Sequence, residues 1–332
     1  MWVGCLGAAR ITPVALVAPA RARGDVRLAA VAARDPARAA AFAREYGFDR
    51  AETTYQALID APDIDLIYNA LAASDHARWT IRALDVGKHV LCEKPLAMNL
   101  AEAEAMAAAA ERSGRRLIEA FHYRYHPLFA HFLHWLWEER IGRITGFEAR
   151  FDAPIPNRDG REIRHFPQTG GGAFMDLGCY PLAWSLAVFD REPDQVEATA
   201  TLTPTGVDES LDARLLYGDV EARIGASMAA GVKRGAWLVV SGERGAIRFH
   251  NPLAPQNGSK LTLTVGDTIE TAPEDRSTTY AHQLDAVLTA LRTGAPLPTE
   301  GPPMLRQQRV LDAIYRAAGL GSLRGRQESW SP

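Results

Sequence analysis

The sequence has few cysteines and no long apolar run. Cys5, Cys92 and Cys179 are its three cysteines, and their odd number and irregular spacing argue against a disulfide framework. No apolar stretch approaches the roughly 20 residues that a membrane helix needs. The first residues, "MWVGCLGAAR", lack the basic segment and the long apolar segment of a secretory signal. We therefore expect a cytoplasmic protein with small buried cysteines and no membrane partner.

Charge of one sign is not in excess either. The chain has 37 Lys and Arg against 40 Asp and Glu, a net charge of -3, and its basic residues are scattered. A nucleic-acid-binding surface needs clustered basic residues, so we expect no nucleic-acid partner. With 332 residues, 47% of them hydrophobic, and no internal repeat or low-complexity linker, the chain is long enough for about two domains.

The first third of the chain alternates between strand-like and helix-like segments. The segments "WVGCL", "VRLAAVAA", "DLIYNAL", "KHVLCE" and "RLIEAF" have the apolar character of buried strands, and helical segments separate them. Asp35 before Pro36, Ser74, and Asn99 with its capping-box partner Glu102 mark helix starts. This alternation predicts an α/β fold with a doubly wound parallel sheet and right-handed crossovers.

The pattern changes from about residue 144. Seven segments from "ITGFEARF" to "KLTLTV" read as strands, several of which alternate polar with apolar residues, and two helical segments close the chain. This predicts a C-terminal α+β domain on an open, mostly antiparallel sheet with one face in water. We place the domains at residues 1–122 and 123–332.

An imperfect dinucleotide-binding fingerprint follows the first strand. Gly7 begins a tight turn, but Ala9 and Thr12 stand where the later glycines of the fingerprint are expected. An ordinary strand-to-helix turn explains this stretch equally well. The second strand ends at Ala33 and Arg34, without the acidic residue that binds the ribose hydroxyls in NAD sites.

Two arginines favour NADP over NAD. Arg34 and Arg38 lie one helical turn apart, where they can clamp a 2′-phosphate through charge-assisted hydrogen bonds. The alternative is that both arginines are simply solvated.

A charged motif ends one buried strand. In "HVLCEKPLAMN" the apolar run stops at Glu93, Lys94 and a proline, and residues just past the carboxyl ends of parallel strands face the ligand crevice. Far along the chain, three consecutive glycines precede Asp176 and Tyr180, which are four residues apart on a predicted helix and so share a face. An ammonium such as that of Lys94 stabilises a phenolate, which makes Tyr180 a candidate acid/base for hydride transfer to or from a carbinol. The alternative is a tyrosine of the core.

Four of these segments together resemble one family. "GAARI", "GKHVLCEKPLA", "EAFHYRYHP" and "GGGAFMDLGCYPL" are similar, in this order, to the Gfo/Idh/MocA family, and most similar to the branch of dimeric dihydrodiol dehydrogenase and NADP-linked D-xylose dehydrogenase. The resemblance implies a Rossmann domain, an open-faced sheet that pairs two or more copies of the chain, a tightly held NADP and a catalytic Lys–Tyr pair. It also implies a cis bond between Lys94 and Pro95.

The resemblance assigns roles to individual residues. It makes Lys94, Tyr180 and Asp176 catalytic, and Arg164 a residue of the substrate pocket. The full set implied for the cofactor is Gly7, Ala8, Ala9, Arg10, Ile11, Arg34, Arg38, Ala70, Leu71, His76, Glu93 and Lys94. The set implied for the substrate is Lys94, His122, Arg164, Asp176 and Tyr180.

Two stretches depart from the pattern of the branch. Ala72 and Ala73 replace the usual proline and asparagine, and His122 stands where many relatives carry methionine. His122 is a candidate specificity residue, and a packed histidine is an equal alternative. With His126, His131 and His134 it could suit zinc by spacing, but Pro127 interrupts any helix that joins the two pairs, and we expect no metal.

The sequence therefore predicts an NADP-dependent oxidoreductase of a sugar, polyol or related cyclic alcohol or ketone. The alternative is a sensor or regulator of the same fold that binds the dinucleotide without turnover. Retention of both Lys94 and Tyr180 favours the enzyme. The sequence leaves the substrate and the direction of the reaction open.

Overall fold

The computed structural model describes residues 1–157 and 159–321, which form two compact units. The first unit contains Met1–His122 together with Tyr280–Leu305, and the second contains Tyr123–Thr279 together with 306–321. The first unit thus takes in a late segment that the predicted boundary assigned to the second domain. The division into domains 1–122 and 123–332 stays a prediction.

The first unit is built on alternating strands and helices. Its strands are β1 (Trp2–Leu6), β2 (Arg27–Ala32), β3 (Arg50–Glu52), β4 (Leu66–Asn69), β5 (His89–Cys92) and β6 (Leu117–Glu119). Its helices are α1 (Ala18–Arg21), preceded by a π-helical turn at Pro13–Val17, then α2 (Pro36–Tyr46), α3 (Tyr55–Asp60), α4 (Ala73–Asp85) and α5 (Leu100–Ser113).

The second unit is built on longer strands. Its strands are β7 (Ile144–Asp152), β8 (Gln195–Leu202), β9 (Asp208–Tyr217), β10 (Val220–Ser227), β11 (Gly235–Gly242), β12 (Gly245–His250), β13 (Lys260–Val265) and β14 (Thr268–Thr271). Its helices are α6 (Pro127–Trp137) and α7 (Cys179–Phe189), with a π-helical turn at Phe174–Gly178 before α7. Short 3₁₀ turns lie at His122–Tyr125, Ile163–His165, Pro167–Thr169 and Pro255–Asn257. Two helices follow in the chain, α8 (Thr279–Thr293) and α9 (Pro302–Ala317).

The six-stranded sheet confirms the predicted doubly wound fold. Its strand order is β3-β2-β1-β4-β5-β6 and every pair is parallel, the order typical of dinucleotide-binding domains. Apolar side chains from α8, such as Val287 and Leu288, share one buried cluster with the strands, and Met304 of α9 lies in another. Burial on both faces explains why these strands read as unbroken apolar runs.

Local capping signals account for most helix starts of this unit. Asp35 accepts a hydrogen bond from the amide of Ala37 (2.9 Å), and Asn99 accepts one from the amide of Glu102 (3.0 Å). The prediction that Ser74 caps a helix is wrong, because α4 already begins at Ala73 and its start has no side-chain cap.

The eight-stranded sheet confirms the predicted open, mostly antiparallel architecture. Its order is β14-β13-β12-β11-β7-β10-β9-β8, and among these neighbours β7 and β10 pair in parallel while the others are antiparallel. One face packs against α7 and the π-helical turn before it. The other face carries alternating polar residues.

One segment of the second unit is apolar enough to cross a membrane, which the sequence analysis did not anticipate. It spans Pro167–Phe189, and an 18-residue window within it has a mean hydropathy of 1.2 and is 72% buried inside the protein. Core helices of soluble proteins have the same length and composition, and the burial identifies this segment as part of the core.

Candidate active site

The turn after β1 brings backbone atoms close together at the carboxyl edge of the parallel sheet. Gly7 has a φ of +97°, and a Cβ there would lie 3.1 Å from the carbonyl oxygen of Ala70, in the loop after β4. The amide of Gly7 donates to the carbonyl of Ala32 (2.8 Å), at the end of β2. A side chain would strain this turn, and its absence leaves room for a pyrophosphate to approach the backbone.

The two predicted phosphate-binding arginines lie beside this turn. The guanidinium of Arg38 donates to the carbonyl of Ala8 (2.6 Å), which anchors its head group next to the turn while other N–H groups of the fork stay available. Both Arg34 and Arg38 also act on Tyr55, a residue that the sequence analysis did not single out. The pKa of Tyr55 is raised, mainly by burial and then by the carboxylate of Asp75. The guanidinium groups of Arg34 and Arg38 and the amide of Arg34 oppose this rise.

The backbone around Lys94 is held from several sides. The bond between Lys94 and Pro95 is cis, as the resemblance implied. The hydroxyl of Tyr68 donates to Glu93 (2.6 Å). The imidazole of His76 is 1% exposed, with Nδ1 3.0 Å from the carbonyl oxygen of Pro95 and Nε2 3.1 Å from that of Leu71. His76 therefore links the loop after β4 to the Lys94 turn through backbone atoms.

Glu119 supports the same turn from β6. Oε1 of Glu119 accepts a hydrogen bond from the amide of Leu96 (2.9 Å), and Glu119 is 2% exposed. The pKa of Glu119 is raised to about 8, mainly by burial and to a smaller extent by the carboxylate of Glu93, while the amide of Leu96 and the ammonium of Lys94 oppose the rise. A carboxyl group with this pKa is largely protonated at neutral pH.

His122 packs at the same edge of the sheet. Its ring lies 4.1 Å, centroid to centroid, from the ring of Tyr280 at the start of α8. Burial, together with a smaller effect of the ammonium of Lys94, lowers the pKa of His122 to about 3. His122 is therefore a neutral imidazole at physiological pH.

The second unit brings together two of its predicted site residues. The guanidinium of Arg164 contacts Asp176 through Nε (2.5 Å) and Glu162 through Nη1 (2.8 Å). These two carboxylates, Asp176 first, raise the pKa of Arg164. Glu162 was missed by the sequence analysis, although it lies two residues before Arg164.

Glycines allow the Arg164 segment to pack against the turn that carries Asp176. A Cβ on Gly171 would lie 2.6 Å from the carbonyl oxygen of Arg164, and a Cβ on Gly172, whose φ is +125°, would clash with a carboxylate oxygen of Asp208. Both contacts are too close for any side chain, so these positions require glycine. The three-glycine stretch thus has a packing reason as well as a place in the family pattern.

A buried pair fixes the start of the same turn. Asp208 accepts hydrogen bonds from the amide of Phe174 (2.6 Å) and from the hydroxyl of Tyr315 in α9 (2.8 Å). The hydroxyl of Tyr315 in turn accepts from the amide of Met175 (3.1 Å). Asp208 and Tyr315 are 1% and 3% exposed, so this network positions the segment of Asp176 from inside the core.

Tyr180 lies just past this turn, at the beginning of α7. It is 6% exposed, with the rings of Phe151 (5.8 Å), Tyr123 (6.0 Å) and Trp184 (6.5 Å) around it. The turn that carries Asp176 is π-helical rather than α-helical, so the α-helical spacing assumed for Asp176 and Tyr180 does not apply there.

The other histidines considered for a metal have separate environments in the second unit. Nδ1 of His126 accepts from the amide of Leu128 (3.2 Å) at the start of α6. The ring of His131 lies edge-on to Trp135 (4.6 Å), and His134 pairs with Glu138 (3.2 Å) on the surface. Each of the three histidines thus has a partner of its own, and Nε2 of His126 also lies 3.6 Å from a carboxylate oxygen of Asp275.

Comparison with known proteins identifies the chain. A model of an oxidoreductase family with an NAD-binding Rossmann fold matches residues 1–121, and a model of the GFO/IDH/MocA C-terminal domain matches residues 129–248. D-xylose 1-dehydrogenase (NADP(+)) 2 of Haloferax volcanii is 33% identical over 328 residues, which cover 97% of this chain and 98% of that protein. The chain belongs to the Gfo/Idh/MocA oxidoreductase family.

Other members of the Gfo/Idh/MocA family match over most of the chain. Trans-1,2-dihydrobenzene-1,2-diol dehydrogenase of Xenopus laevis is 32% identical over 280 residues, or 81% of this chain and 82% of its own. A 3-ketoreductase from Actinomadura kijaniata, solved with NADP and TDP-benzene, superposes with a TM-score of 0.87 at 28% identity, covering 96% of this chain and 97% of that one. These matches confirm the suspected family and branch.

The predicted site residues divide between the two units, and their roles stay a prediction. Those of the first unit are Gly7, Ala8, Ala9, Arg10, Ile11, Arg34, Arg38, Ala70, Leu71, His76, Glu93, Lys94 and His122. Those of the second unit are Arg164, Asp176 and Tyr180. The structure adds Tyr55 and Glu119 beside the first group, and Glu162, Asp208 and Tyr315 beside the second. Of these, Glu119, Asp208 and Tyr315 make their contacts across long sequence separations, whereas Glu162 contacts Arg164 two residues away.

Proposed function

We propose that this Gfo/Idh/MocA oxidoreductase uses NADP to oxidise a hydroxyl group of a sugar, polyol or related cyclic alcohol, or to reduce the corresponding carbonyl. The observation that carries the proposal is the Lys94 turn. A lysine at the carboxyl edge of a dinucleotide-binding sheet, with Tyr68 bonded to the side chain of Glu93 before it and His76 and Glu119 holding the backbone after it, has the rigid support that a catalytic group needs.

The residues around the β1 turn fit NADP. Gly7 leaves the backbone open to a pyrophosphate, and Arg34 and Arg38 supply two guanidinium groups for a 2′-phosphate. The names of relatives support this choice, since the Haloferax volcanii enzyme is NADP-linked and the Actinomadura kijaniata reductase was solved with NADP. NAD, which lacks the 2′-phosphate, is expected to bind more weakly.

The side chains of the two units supply the proton chemistry. When bound, NADP accepts or returns a hydride at C4 of its nicotinamide. In the oxidative direction Tyr180 takes the proton from the substrate hydroxyl as the adjacent C–H bond breaks, which leaves a carbonyl. Lys94 stabilises the phenolate of Tyr180 and orients the substrate oxygen, while Asp176 and Arg164 bind other hydroxyl groups.

Relatives give further support to the Lys–Tyr pair and to a sugar-like substrate. The Actinomadura kijaniata reductase has also been solved with a substituted tyrosine and with a substituted lysine, both with TDP-benzene and NADP, at 27% identity to this chain. An aldose-aldose oxidoreductase from Caulobacter crescentus superposes with a TM-score of 0.87 at 25% identity, covering 97% of this chain and 98% of that one.

We also propose that two copies of the chain pair through the polar face of the eight-stranded sheet. Arg214 bonds Glu197 (3.1 Å) and Glu221 there, and Arg150 bonds Asp212. Basic and acidic residues that alternate on one face can complement a second copy of the same face. Light scattering of the purified protein should give the mass of a dimer, and the mass of a monomer would contradict this pairing.

The proposed activity is tested by binding and turnover. Tryptophan fluorescence is titrated with NADPH and NADH, and absorbance of the nicotinamide is then followed with a panel of aldoses, keto-sugars and dihydrodiols. Tighter binding of NADPH together with turnover of a panel member is the expected result. Tight binding without turnover would favour the sensor alternative, and failure to bind either dinucleotide would refute the proposal.

A further inference from the structure

The helix α8 carries a buried amide that the chemistry above does not use. Gln283 is 1% exposed, and neither its amide nitrogen nor its amide oxygen has a hydrogen-bond partner among the described residues. A buried amide without partners costs stability, and an apolar side chain would avoid that cost. The neighbours of Gln283 on this helix face, Leu284, Val287 and Leu288, are apolar and lie in the core of the first unit. We therefore expect a ligand to supply the hydrogen-bond partners of Gln283.

The position of Gln283 along α8 relates it to the Lys94 turn. Tyr280, one helical turn earlier, packs on His122, and its pKa is raised by burial and by the carboxylate of Glu93. Tyr280 therefore lies at the carboxyl edge of the parallel sheet, where ligands bind in this fold. Gln283 is three residues further, about 4.5 Å along the helix axis, on the same side as Tyr280 and Val287.

We propose that Gln283 binds the carboxamide of the nicotinamide ring. This inference rests on the proposed function and names one more residue of the same cofactor site. A primary amide offers one acceptor oxygen and two N–H donors, and so does the side chain of Gln283. Each of the two unpartnered atoms thus finds its complement in a carboxamide. The contact would fix the rotation of the nicotinamide ring about its glycosidic bond and so select the ring face that transfers hydride.

The test compares Gln283→Met with wild type. Methionine keeps the length of the side chain and removes both polar atoms. Three ligands are titrated: NADPH, the reduced 3-acetylpyridine analogue, in which a methyl group replaces the amide nitrogen, and 2′-phospho-ADP-ribose, which lacks the nicotinamide. Gln308→Met serves as the matched control, since Gln308 is also 1% exposed but donates to Asp312 (3.1 Å) within its own helix.

Four results are expected for Gln283→Met. Its affinity for NADPH falls by about two- to tenfold per lost hydrogen bond, and its discrimination between NADPH and the acetylpyridine analogue largely disappears. Its affinity for 2′-phospho-ADP-ribose is unchanged. Without ligand, it unfolds at a temperature no lower than wild type, because it no longer buries two unpartnered atoms. In Gln308→Met the discrimination between the two dinucleotides stays as in wild type.

Different failures have different meanings. Unchanged discrimination in Gln283→Met, with NADPH bound tightly by wild type, would overturn this inference and leave the proposed function intact. Equal weakening of all three ligands with a lowered unfolding temperature would show a purely structural role and overturn it as well. If wild type bound neither NADPH nor 2′-phospho-ADP-ribose, the proposed function would fail and this inference with it.

Discussion

Replacing Glu119 by glutamine should change how stability depends on pH. Burial raises the pKa of Glu119 from an ordinary value of 4.5 to about 8. Between these two values the folded protein keeps a proton that the unfolded chain has lost. The free energy of unfolding must therefore fall as pH rises from about 4.5 to 8. The slope approaches about 1.4 kcal/mol per pH unit, and the whole interval amounts to a loss on the order of 4–5 kcal/mol.

Glutamine does not titrate, so the Glu119→Gln variant loses this pH dependence of the free energy of unfolding but keeps the supporting contact. Its amide oxygen can accept the hydrogen bond from Leu96 that Glu119 accepts at 2.9 Å. The variant should therefore be about as stable as wild type near pH 5 and more stable by several kcal/mol at pH 8. Urea unfolding of both proteins at pH 5, 6.5 and 8 measures this difference.

The design separates Glu119 from other titrating groups. Burial holds the pKa of His122 near 3, so the free energy of unfolding also falls as pH drops below about 6.5, but wild type and Glu119→Gln share this term. Glu243→Gln is the control, because the Glu243 side chain is 50% exposed and pairs with Arg143 on the surface. A difference between Glu119→Gln and wild type that stays constant from pH 5 to pH 8 would refute the argument.

Three further substitutions test the site. Tyr180→Phe should lower turnover by about 100- to 10,000-fold, as expected for a lost general acid/base, while NADPH affinity in a fluorescence titration is nearly unchanged; unaltered turnover would remove Tyr180 from the mechanism. Arg34→Ala should weaken NADPH far more than NADH in the same titration, and equal weakening would contradict a 2′-phosphate contact. Tyr315→Phe leaves Asp208 short of one donor, so we expect about 1–3 kcal/mol of destabilisation and a lower kcat at unchanged NADPH affinity. Tyr217→Phe is its control, and a kcat that falls equally in both would speak against a positioning role.

The sequence predicted best what depends on neighbours in the chain. The strands of the parallel sheet are buried on both faces, so they stand out as apolar runs, and the caps at Asp35 and Asn99 act within three residues. The prediction for Ser74 failed because α4 begins one residue earlier, at Ala73, so Ser74 lies inside the helix. Ala73 and His76 in its first turn are buried. The short strands β3 and β14 were missed because three or four residues are too few to give a periodic signal.

Most residues that support the site could not be predicted from the sequence, because they contact residues far away in the chain. Asp208 and Tyr315 meet across 107 positions, and Glu119 supports Leu96 across 23. Nothing near Asp208 or Glu119 in the sequence marks either carboxyl group as buried. Residue identity and spacing likewise give no sign that the turn of Asp176 is π-helical.

The late segment that completes the first unit has a consequence for how the chain folds during synthesis. The apolar face of the parallel sheet is covered in part by Leu284, Val287 and Leu288, and Met304 fills another part of the core. Arg116 bonds Glu300 and the carbonyl of Ala290 to hold this segment in place. Once residues 1–122 have been synthesised, part of their apolar surface therefore stays open to water until α8 and the start of α9 have been translated. Premature stop products of this gene should aggregate, and the newly made protein is expected to need chaperone binding until its last helices emerge.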